Sequence, residues 1–562
     1  MVEAPLSIVH GKPLSEESGL GTLTMGGWFR EITAMHHERE ALVLHENDSV
    51  TRWTYEELAE RANEVARALL ACGVSKGTRV GVLMTNRPEF LSSVFGISLA
   101  GGVATTLSTF STPAELDYLL QLSGISVLLM ERNVLNKDFS AILGELEPQF
   151  YNEASNELSS IRFPYLRHVA AINGGQGHIE DWPDFLARAS KIPQSLVDAT
   201  AESVTPADPG ALFFSSGTTS KPKGILSAHR GVALQLWRWR RFYQTESDAR
   251  TWSANGFFWS GNFGMAIGGT LTAGGSLLLQ KTFNASDALT LMHNEKATMA
   301  IAWPHQWPQL EAAPNWRDVD LSAMKYLGSE TGLARHPSIN VSWQEPICAY
   351  GNTETFTISS IFESGTPKER IAGSSGEPQP GMTFKIVDPM SGDIMPLGEE
   401  GEIAVKGPTL MLGYLGIPLD ETLDEQGFLR TGDGGYLDGE GRLFWKGRLN
   451  DIIKTGGANV SPREIDANLL ENPAIKLCQT VGIPHDTLGE MVVSCIVPHA
   501  GESLSPEEVQ SYLKERLASY KVPREVLLVD ESDLQTTGTA KIKTTELRDT
   551  VIKRLDLASS QA

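Results

Sequence analysis

Four short runs of the chain are apolar with little or no polar alternation: RVGVLM (79–84), SVLLM (126–130), ALFF (211–214) and ATMAIAW (297–303). A strand with one wet face alternates polar and apolar residues, whereas a run apolar at nearly every position needs cover on both faces. Such strands belong to α/β sheets flanked by helices. Helix starts stand between and beyond them. TYEE (54–57), TPAE (112–115), SPRE (461–464) and SPEE (505–508) each place Ser or Thr three residues before Glu, the pattern of a capping box. Three of the four carry Pro at the first helical position, where no N–H is needed. Behind Thr54, the residues Leu58, Ala62, Val65, Ala66 and Leu69 recur at helical spacing and predict a core-facing stripe.

The texture changes after about residue 380. FKIVD (384–388), GEIAVKG (401–407) and GRLFWKG (441–447) are short, close together and separated by Gly and Asp turns, which predicts an antiparallel or barrel-like region. From about 449 helices and strands mix again. The 562 residues are too many for one core. The expected architecture is α/β: a large N-terminal domain (1–448) of α/β sheets plus a small barrel-like region, then a small, mobile α+β domain (449–562). The formal net charge of −22 argues against a nucleic-acid binder, although an anion can still sit in a locally basic cleft. Cys72, Cys348, Cys478 and Cys495 show no paired spacing, so neither a disulfide framework nor a zinc site is expected. With no signal-peptide pattern at the N-terminus and no run of membrane-span length, a cytoplasmic location is expected.

The stretch SSGTTSKPKG (215–224) follows ALFF directly. A strand ending in a Gly/Ser/Thr loop presents N–H groups and hydroxyls to an anion, and Lys221 and Lys223 add charge. It is not a Walker A loop, which needs G-x-x-x-x-G-K-[ST]. Alone, the stretch reads equally well as a solvated turn. Downstream come YGNTE (350–354), TGD (431–433), GRLNDIIKTGG (447–457) and TGTAKIK (537–543). Each has an ordinary reading as a turn or loop. In this order and at these separations they resemble the adenylate-forming superfamily of acyl-CoA synthetases, adenylation domains and luciferases, over nearly the whole chain.

The resemblance implies an acid–thiol ligase using ATP, Mg²⁺ and CoA. A carboxylate attacks the α-phosphate, pyrophosphate leaves, and a thiol then displaces AMP. It places Ser215, Ser216, Gly217, Thr218, Thr219 and Lys223 over the β- and γ-phosphates. Gly328, Ser329 and Glu330 pass behind the adenine, and Tyr350, Gly351 and Asn352 lie against the nucleotide. Thr353 contacts the α-phosphate and Glu354 holds Mg²⁺. Asp433 accepts the ribose hydroxyls, helped by Arg448. Asn450 is the hinge, Gly456 and Gly457 pass the pantetheine arm, and Lys541 bridges carboxylate and α-phosphate. Two positions depart from the usual pattern: Asn450, where Asp or Lys is common, and Ala540, where Gly is common.

By the same resemblance the acyl pocket is lined by WSANGFFWSGNFGMAIGG (252–269), with Trp259 and Phe263 among its aromatics. No Asp opens this segment to pair with an α-amino group. The expected substrate is therefore a medium- or long-chain fatty acid or a similar apolar carboxylic acid. A stand-alone enzyme loading a carrier protein and a non-catalytic sensor are the alternatives, and a homodimer is left open. WRWRRF (237–242) reads as a solvated helix face in preference to a basic patch for CoA. Replacing Lys541 by Ala is expected to abolish most adenylate formation while ATP still binds. ATP–pyrophosphate exchange beside equilibrium ATP binding checks this, and unchanged exchange would remove Lys541 from its role.

Overall fold

The computed structural model describes residues 5–46, 49–152, 158–215, 222–304, 306–346, 349–449, 453–455, 458–485, 488–517, 521–534 and 544–559. The chain forms two compact units interleaved in sequence: residues 10–383 with 406–429, and residues 1–9 with 384–405 and 430–562.

The larger unit contains two main sheets. The first has eight strands in the order Ile179–Asp181, His168–Ile172, Val127–Glu131, Arg79–Leu83, Val103–Thr106, Pro209–Ser215, Lys223–Ala228, Gly413–Tyr414. The first six are parallel and the last two run antiparallel to their neighbours. The second has Met299–Ile301, Arg250–Ser253, Ser276–Leu279 and Glu40–Glu46 in parallel, with Ser49–Thr54 antiparallel at its edge.

Successive residues explain why the runs at 79–84 and 126–130 are apolar at nearly every position. Val80 and Val82 join one core with Leu42, Leu44, Leu277 and Leu279 from the other sheet. That core is filled by the helices Met25–Met35, Tyr55–Ala71, Pro88–Leu99 and His229–Tyr243. The alternate residues Leu83, Leu128 and Met130 pack on the far side of the first sheet, and Val43 and Leu278 on the far side of the second. Helix Pro88–Leu99, held between layers, is buried nearly all round. Phe95 stacks on Phe29 at 4.5 Å. Its truncation to Ala would cost about 3–5 kcal/mol. A Cβ on Gly96 would come within 2.8 Å of the Ala62 carbonyl oxygen, so only glycine lets the two central helices approach this closely.

Three predicted capping boxes form: Thr54 with Glu57, Thr112 with Glu115, and Ser505 with Glu508. The fourth does not. The Ser461 hydroxyl donates to the Lys446 carbonyl at 2.7 Å, and Glu464 pairs with Lys521 at 2.8 Å. Tertiary partners outcompete the local box there. WRWRRF is also not a solvated face. Trp237, Arg238, Trp239 and Phe242 are buried, and Arg238 is satisfied by Glu17 at 2.7 Å, both side chains fully enclosed. Gln379 and the Pro380 carbonyl accept its remaining hydrogen bonds.

The smaller unit holds a five-stranded sheet, in the order Ile8–His10, Thr383–Val387, Gly401–Lys406, Leu429–Leu437, Leu443–Arg448. A second sheet orders Ala458–Val460, Ile453–Thr455, Gly489–Pro498 and Ile475–His485, with Glu525–Leu528 parallel to Gly489–Pro498. Helices Pro462–Leu470 and Pro506–Lys514 share one core with this sheet, and Thr544–Ser559 shares another. No helix among the described residues is long and apolar enough to cross a membrane.

Asp466, on helix Pro462–Leu470, is enclosed against strand Ile475–His485. Burial pushes its carboxyl from 3.8 up to about 7, against hydrogen bonds from Thr480. The folded chain therefore keeps this proton between about pH 4 and 7 while the unfolded chain has released it. The resulting stabilisation is full below the unfolded value and fades as pH rises, by about 4 kcal/mol. Asp466→Asn is expected to flatten that loss: a more stable unit at pH 8, little change at pH 4. Hydrogen exchange along Ile475–His485, compared between the two proteins at each pH, reads the difference.

Candidate active site

The SSGTTSKPKG stretch closes a hairpin. Strand Pro209–Ser215 runs antiparallel to Lys223–Ala228, with Ser215 opposite Lys223. Ser216, Gly217, Thr218 and Thr219 lie outside the described residues. The second strand pairs along its other edge with Gly413–Tyr414. The Lys223 ammonium stands over the Tyr414 ring, 4.7 Å from its centroid. The Tyr414 hydroxyl donates to Glu354 Oε1 at 2.7 Å. Three segments distant in sequence thus meet through Lys223, Tyr414 and Glu354.

YGNTE is shaped by its own hydrogen bonds. Strand Ala349–Tyr350 pairs with Ser360–Ile361, and between them Thr353–Thr355 makes a single 3₁₀ turn. Asn352 caps it, its Oδ1 accepting from the Thr355 N–H at 3.0 Å. A Cβ on Gly351 would fall 2.0 Å from the Thr357 carbonyl oxygen, so the loop closes only over glycine. Phe356 and Thr357 then adopt φ of 45° and 82°. Non-glycine residues in that region cost of order 1–3 kcal/mol each. The strain is held by the Thr357 N–H on the Asn352 carbonyl, and by the Phe356 ring packed on Phe213 and Phe263. The Met411 N–H fixes the Glu354 carbonyl at 2.7 Å. Glu354 Oε2 accepts no hydrogen bond among the described residues. A carboxylate with one oxygen committed and one open fits a single ligand position on a hard cation such as Mg²⁺.

Gly328 is buried, while Ser329 and Glu330 are exposed just beyond it. The Thr331 N–H and hydroxyl both return to the Gly328 carbonyl. The segment continues from Tyr326, which bridges to Met299 at the edge of the second sheet.

In the smaller unit, Asp433 sits within strand Leu429–Leu437, so TGD belongs to a paired strand, with Gly432 at φ 71°, and is not a free turn. Asp433 lies opposite Arg448 on the neighbouring strand, and the guanidinium approaches its carboxylate at 3.1 Å. Arg448 also donates to the Thr431 carbonyl at 2.9 Å. The ladder shifts register immediately after, between Gly434 and Gly435. Asn450, Gly456, Gly457, Ala540 and Lys541 lie outside the described residues.

The aromatic segment is clamped by amides. Asn86 donates to the Asn255 carbonyl at 2.7 Å and accepts from the Phe257 N–H at 2.8 Å. Asn262 donates to the same carbonyl at 2.6 Å, and Thr106 to that of Phe258 at 3.0 Å. Trp259 is partly open and packs on Phe258 at 5.2 Å. Phe263 is only 1% exposed, edge-on to Phe213, and opens a turn of π-helix, Phe263–Gly268. It joins the aromatic segment to the strained turn after Glu354. Sequence reasoning did not single out Tyr414, Asn86 or Asn262. Each acts on a partner at least seven residues away, and Tyr414 and Asn86 on partners 60 and 169 residues away.

The AMP-binding enzyme profile matches residues 29–415, and the AMP-binding enzyme C-terminal domain matches residues 464–541. The chain belongs to the AMP-binding enzyme family. It is an adenylate-forming enzyme. Its relatives include a feruloyl-CoA synthase of an Amycolatopsis species, 29% identical over 89% of this chain and 94% of that one. A 3-[(3aS,4S,7aS)-7a-methyl-1,5-dioxo-octahydro-1H-inden-4-yl]propanoyl:CoA ligase of Rhodococcus jostii is 29% identical over 86% and 91%. A mitochondrial medium-chain acyl-CoA ligase of Mus musculus is 26% identical over 98% and 91%. Among solved structures, an anthranilate CoA ligase in complex with anthranoyl-AMP has a TM-score of 0.76 at 24% identity, covering 95% of this chain and 98% of that one. ATP-bound MatB from Rhodopseudomonas palustris has 0.74 at 24%, covering 93% and 98%. These likenesses show the fold: a large N-terminal and a small C-terminal domain.

Tyr414→Phe keeps the ring beneath Lys223 and deletes the hydrogen bond to Glu354. A bond to a charged group is worth about 1.5–3 kcal/mol. Acid-dependent ATP–pyrophosphate exchange is expected to fall about tenfold or more. Exchange at the wild-type rate would reduce Tyr414 to a packing residue.

Proposed function

We propose that this AMP-forming acid–CoA ligase activates an apolar carboxylic acid, a medium- or long-chain fatty acid or one of similar character, and passes the acyl group to CoA. The observation that carries this reading is the segment 252–269. It contains no Asp, Glu, Lys or Arg, and it presents Phe257, Phe258, Trp259 and Phe263 on a backbone fixed by Asn86 and Asn262. Relatives named for feruloyl, medium-chain acyl and octahydroindenyl-propanoyl groups support an acid whose body is largely apolar.

In the first step an oxygen of the substrate carboxylate forms a bond to the α-phosphorus. The bond to the bridging oxygen breaks, and pyrophosphate leaves with the electron pair. Negative charge gathers on the phosphoryl oxygens, so fixed donors and cations contribute more than an acid–base pair. Ser215 and Lys223, with the loop between them, hold the β- and γ-phosphates. Thr353 donates to the α-phosphate. Glu354, oriented by Tyr414, supplies a ligand to Mg²⁺, whose charge offsets that of the phosphates. Tyr350 lies along the adenine, and Asp433 accepts the ribose hydroxyls. Lys541 brings carboxylate and α-phosphate together by charge and position.

In the second step the CoA sulfur attacks the acyl carbon and AMP leaves with the electrons of the acyl–oxygen bond. The C-terminal domain, 449–562, turns about Asn450 between the steps, and Gly456 and Gly457 admit the pantetheine arm. Motion of this kind commonly gates turnover.

Pyrophosphate release across a panel of carboxylic acids, with and without CoA, tests the reading. Release driven by fatty or other apolar acids, with CoA raising turnover and an acyl-CoA product, is expected. Release indifferent to CoA would transfer the acyl group to a carrier protein. Silence across the panel would leave a sensor.

A further inference from the structure

Glu131 has no role in the chemistry above, yet it is a carboxylate only 1% exposed. It ends strand Val127–Glu131, which lies beside strand Arg79–Leu83 in the first sheet. An ion taken out of water at such a place is costly unless its oxygens are met. Both oxygens are met here. Oε2 accepts from the Thr85 hydroxyl at 2.6 Å and from the Thr85 N–H at 3.3 Å. Oε1 stands 2.8 Å from the buried Arg87 guanidinium. The Lys281 ammonium lies 3.3 Å from the same oxygen and 2.7 Å from Glu46. Lys281 follows strand Ser276–Leu279 and Glu46 ends strand Glu40–Glu46, so the cluster also ties in the second sheet.

The residue between Thr85 and Arg87 is Asn86. One carboxylate thus grips the chain immediately before and immediately after Asn86, in the short link from strand Arg79–Leu83 to helix Pro88–Leu99. Asn86 is buried and commits both ends of its amide to the acyl segment. It donates to the Asn255 carbonyl at 2.7 Å and accepts from the Phe257 N–H at 2.8 Å. A two-sided contact of this kind needs one orientation of the amide, which the backbone on either side sets. Phe257 leads through Phe258 to Trp259, which is partly open. Stability alone gives little reason for such a cluster, because apolar residues of similar volume often serve it as well as buried ions do. What the carboxylate supplies, and an apolar side chain lacks, is a directed hold on both flanks of Asn86.

We propose that Glu131 is a positioning residue for the acyl site: through Thr85 and Arg87 it fixes Asn86, and through Asn86 it fixes the turn 255–259. The assignment rests on the ligase reading given above, in which segment 252–269 lines the acyl site. Its consequence is selectivity. A turn held in one place discriminates between acids of different length and shape, and a loosened turn admits them more evenly.

Glu131→Gln keeps the shape of the side chain and removes its charge, and Asn86→Ala removes the clamp. Thr85→Val deletes one hydrogen bond and no charge, and serves should Glu131→Gln fail to accumulate as folded protein. Pyrophosphate release gives kcat/KM for octanoic, dodecanoic and 3-phenylpropanoic acids, and the KM for ATP is measured beside it. The ratio between two acids is internal to one protein, so a loss of folded enzyme cancels. The widest ratio of the wild type is expected to narrow by about threefold or more in Glu131→Gln and in Asn86→Ala, with the KM for ATP unchanged. Thr85→Val narrows it in the same direction by less. Because Glu131 acts through Asn86, adding Glu131→Gln to Asn86→Ala narrows it no further. Hydrogen exchange in Glu131→Gln is expected to quicken over 255–259 while helix His229–Tyr243 keeps its protection. Unchanged ratios, a wild type indifferent to the acids, effects that add in the combined variant, or exchange that quickens evenly over the larger unit each overturn the assignment and leave the ligase reading standing. Absence of release from every acid defeats the ligase reading, and the assignment falls with it.

Discussion

The four helices packed between two sheets are the constraint from which the larger unit follows. Each sheet gives one face to this shared layer and the other to helices outside it. Strands in the middle of either sheet therefore bury both faces and keep polar groups only where a buried partner takes them, as Asn262 takes Ser253, and a helix held deep between the sheets is apolar around most of its circumference. Helix Pro88–Leu99 meets that demand over its whole length. Helix His229–Tyr243 meets it with a guanidinium in its middle, which survives because Glu17, Gln379 and Pro380 supply every acceptor it needs. Separating such a pair by removing one partner would strand a buried charge.

The site inherits its rigidity from this arrangement. Strand Pro209–Ser215 runs through the first sheet to the hairpin that sets Ser215 opposite Lys223, and the adjoining strand carries Lys223 to Tyr414. Phe213 on that strand touches both Phe263 and Phe356. The same ring that fills the core therefore braces the aromatic segment on one side and the strained turn after Glu354 on the other. Backbone strain at Phe356 and Thr357 can persist because its surroundings are fixed by packing and not by the loop alone.

What could be read in the sequence was whatever depends on near neighbours or on fixed order. Thr54, Thr112 and Ser505 reach a glutamate three residues on, and their boxes formed. The doubly buried strands announced themselves because burial on both faces leaves a mark on every residue. Five separated motifs pointed to the family. Ser461 shows where locality ends: the same pattern as Ser505, but a carbonyl 15 residues back takes its hydroxyl. Arg238 looked solvated because its partner lies 221 residues away. Tyr414 and Asn86 were silent for that reason. Their meaning resides in a partner or a space that the fold alone brings near, and no spacing rule within one sequence encodes it.

The interleaving of the two units bears on how the chain is made. The eight-stranded sheet is completed by Gly413–Tyr414, and the five-stranded sheet opens with Ile8–His10 but waits for Leu443–Arg448. Neither can close early in synthesis. At about 5–20 residues per second, roughly 10–40 s separate the emergence of strand Lys223–Ala228 from that of Tyr414. During that interval strand Lys223–Ala228 has an open edge on the ribosome. A chaperone that shields strand edges would act on this protein chiefly while it is being translated. A single break in the chain near residue 400 would leave both units incomplete.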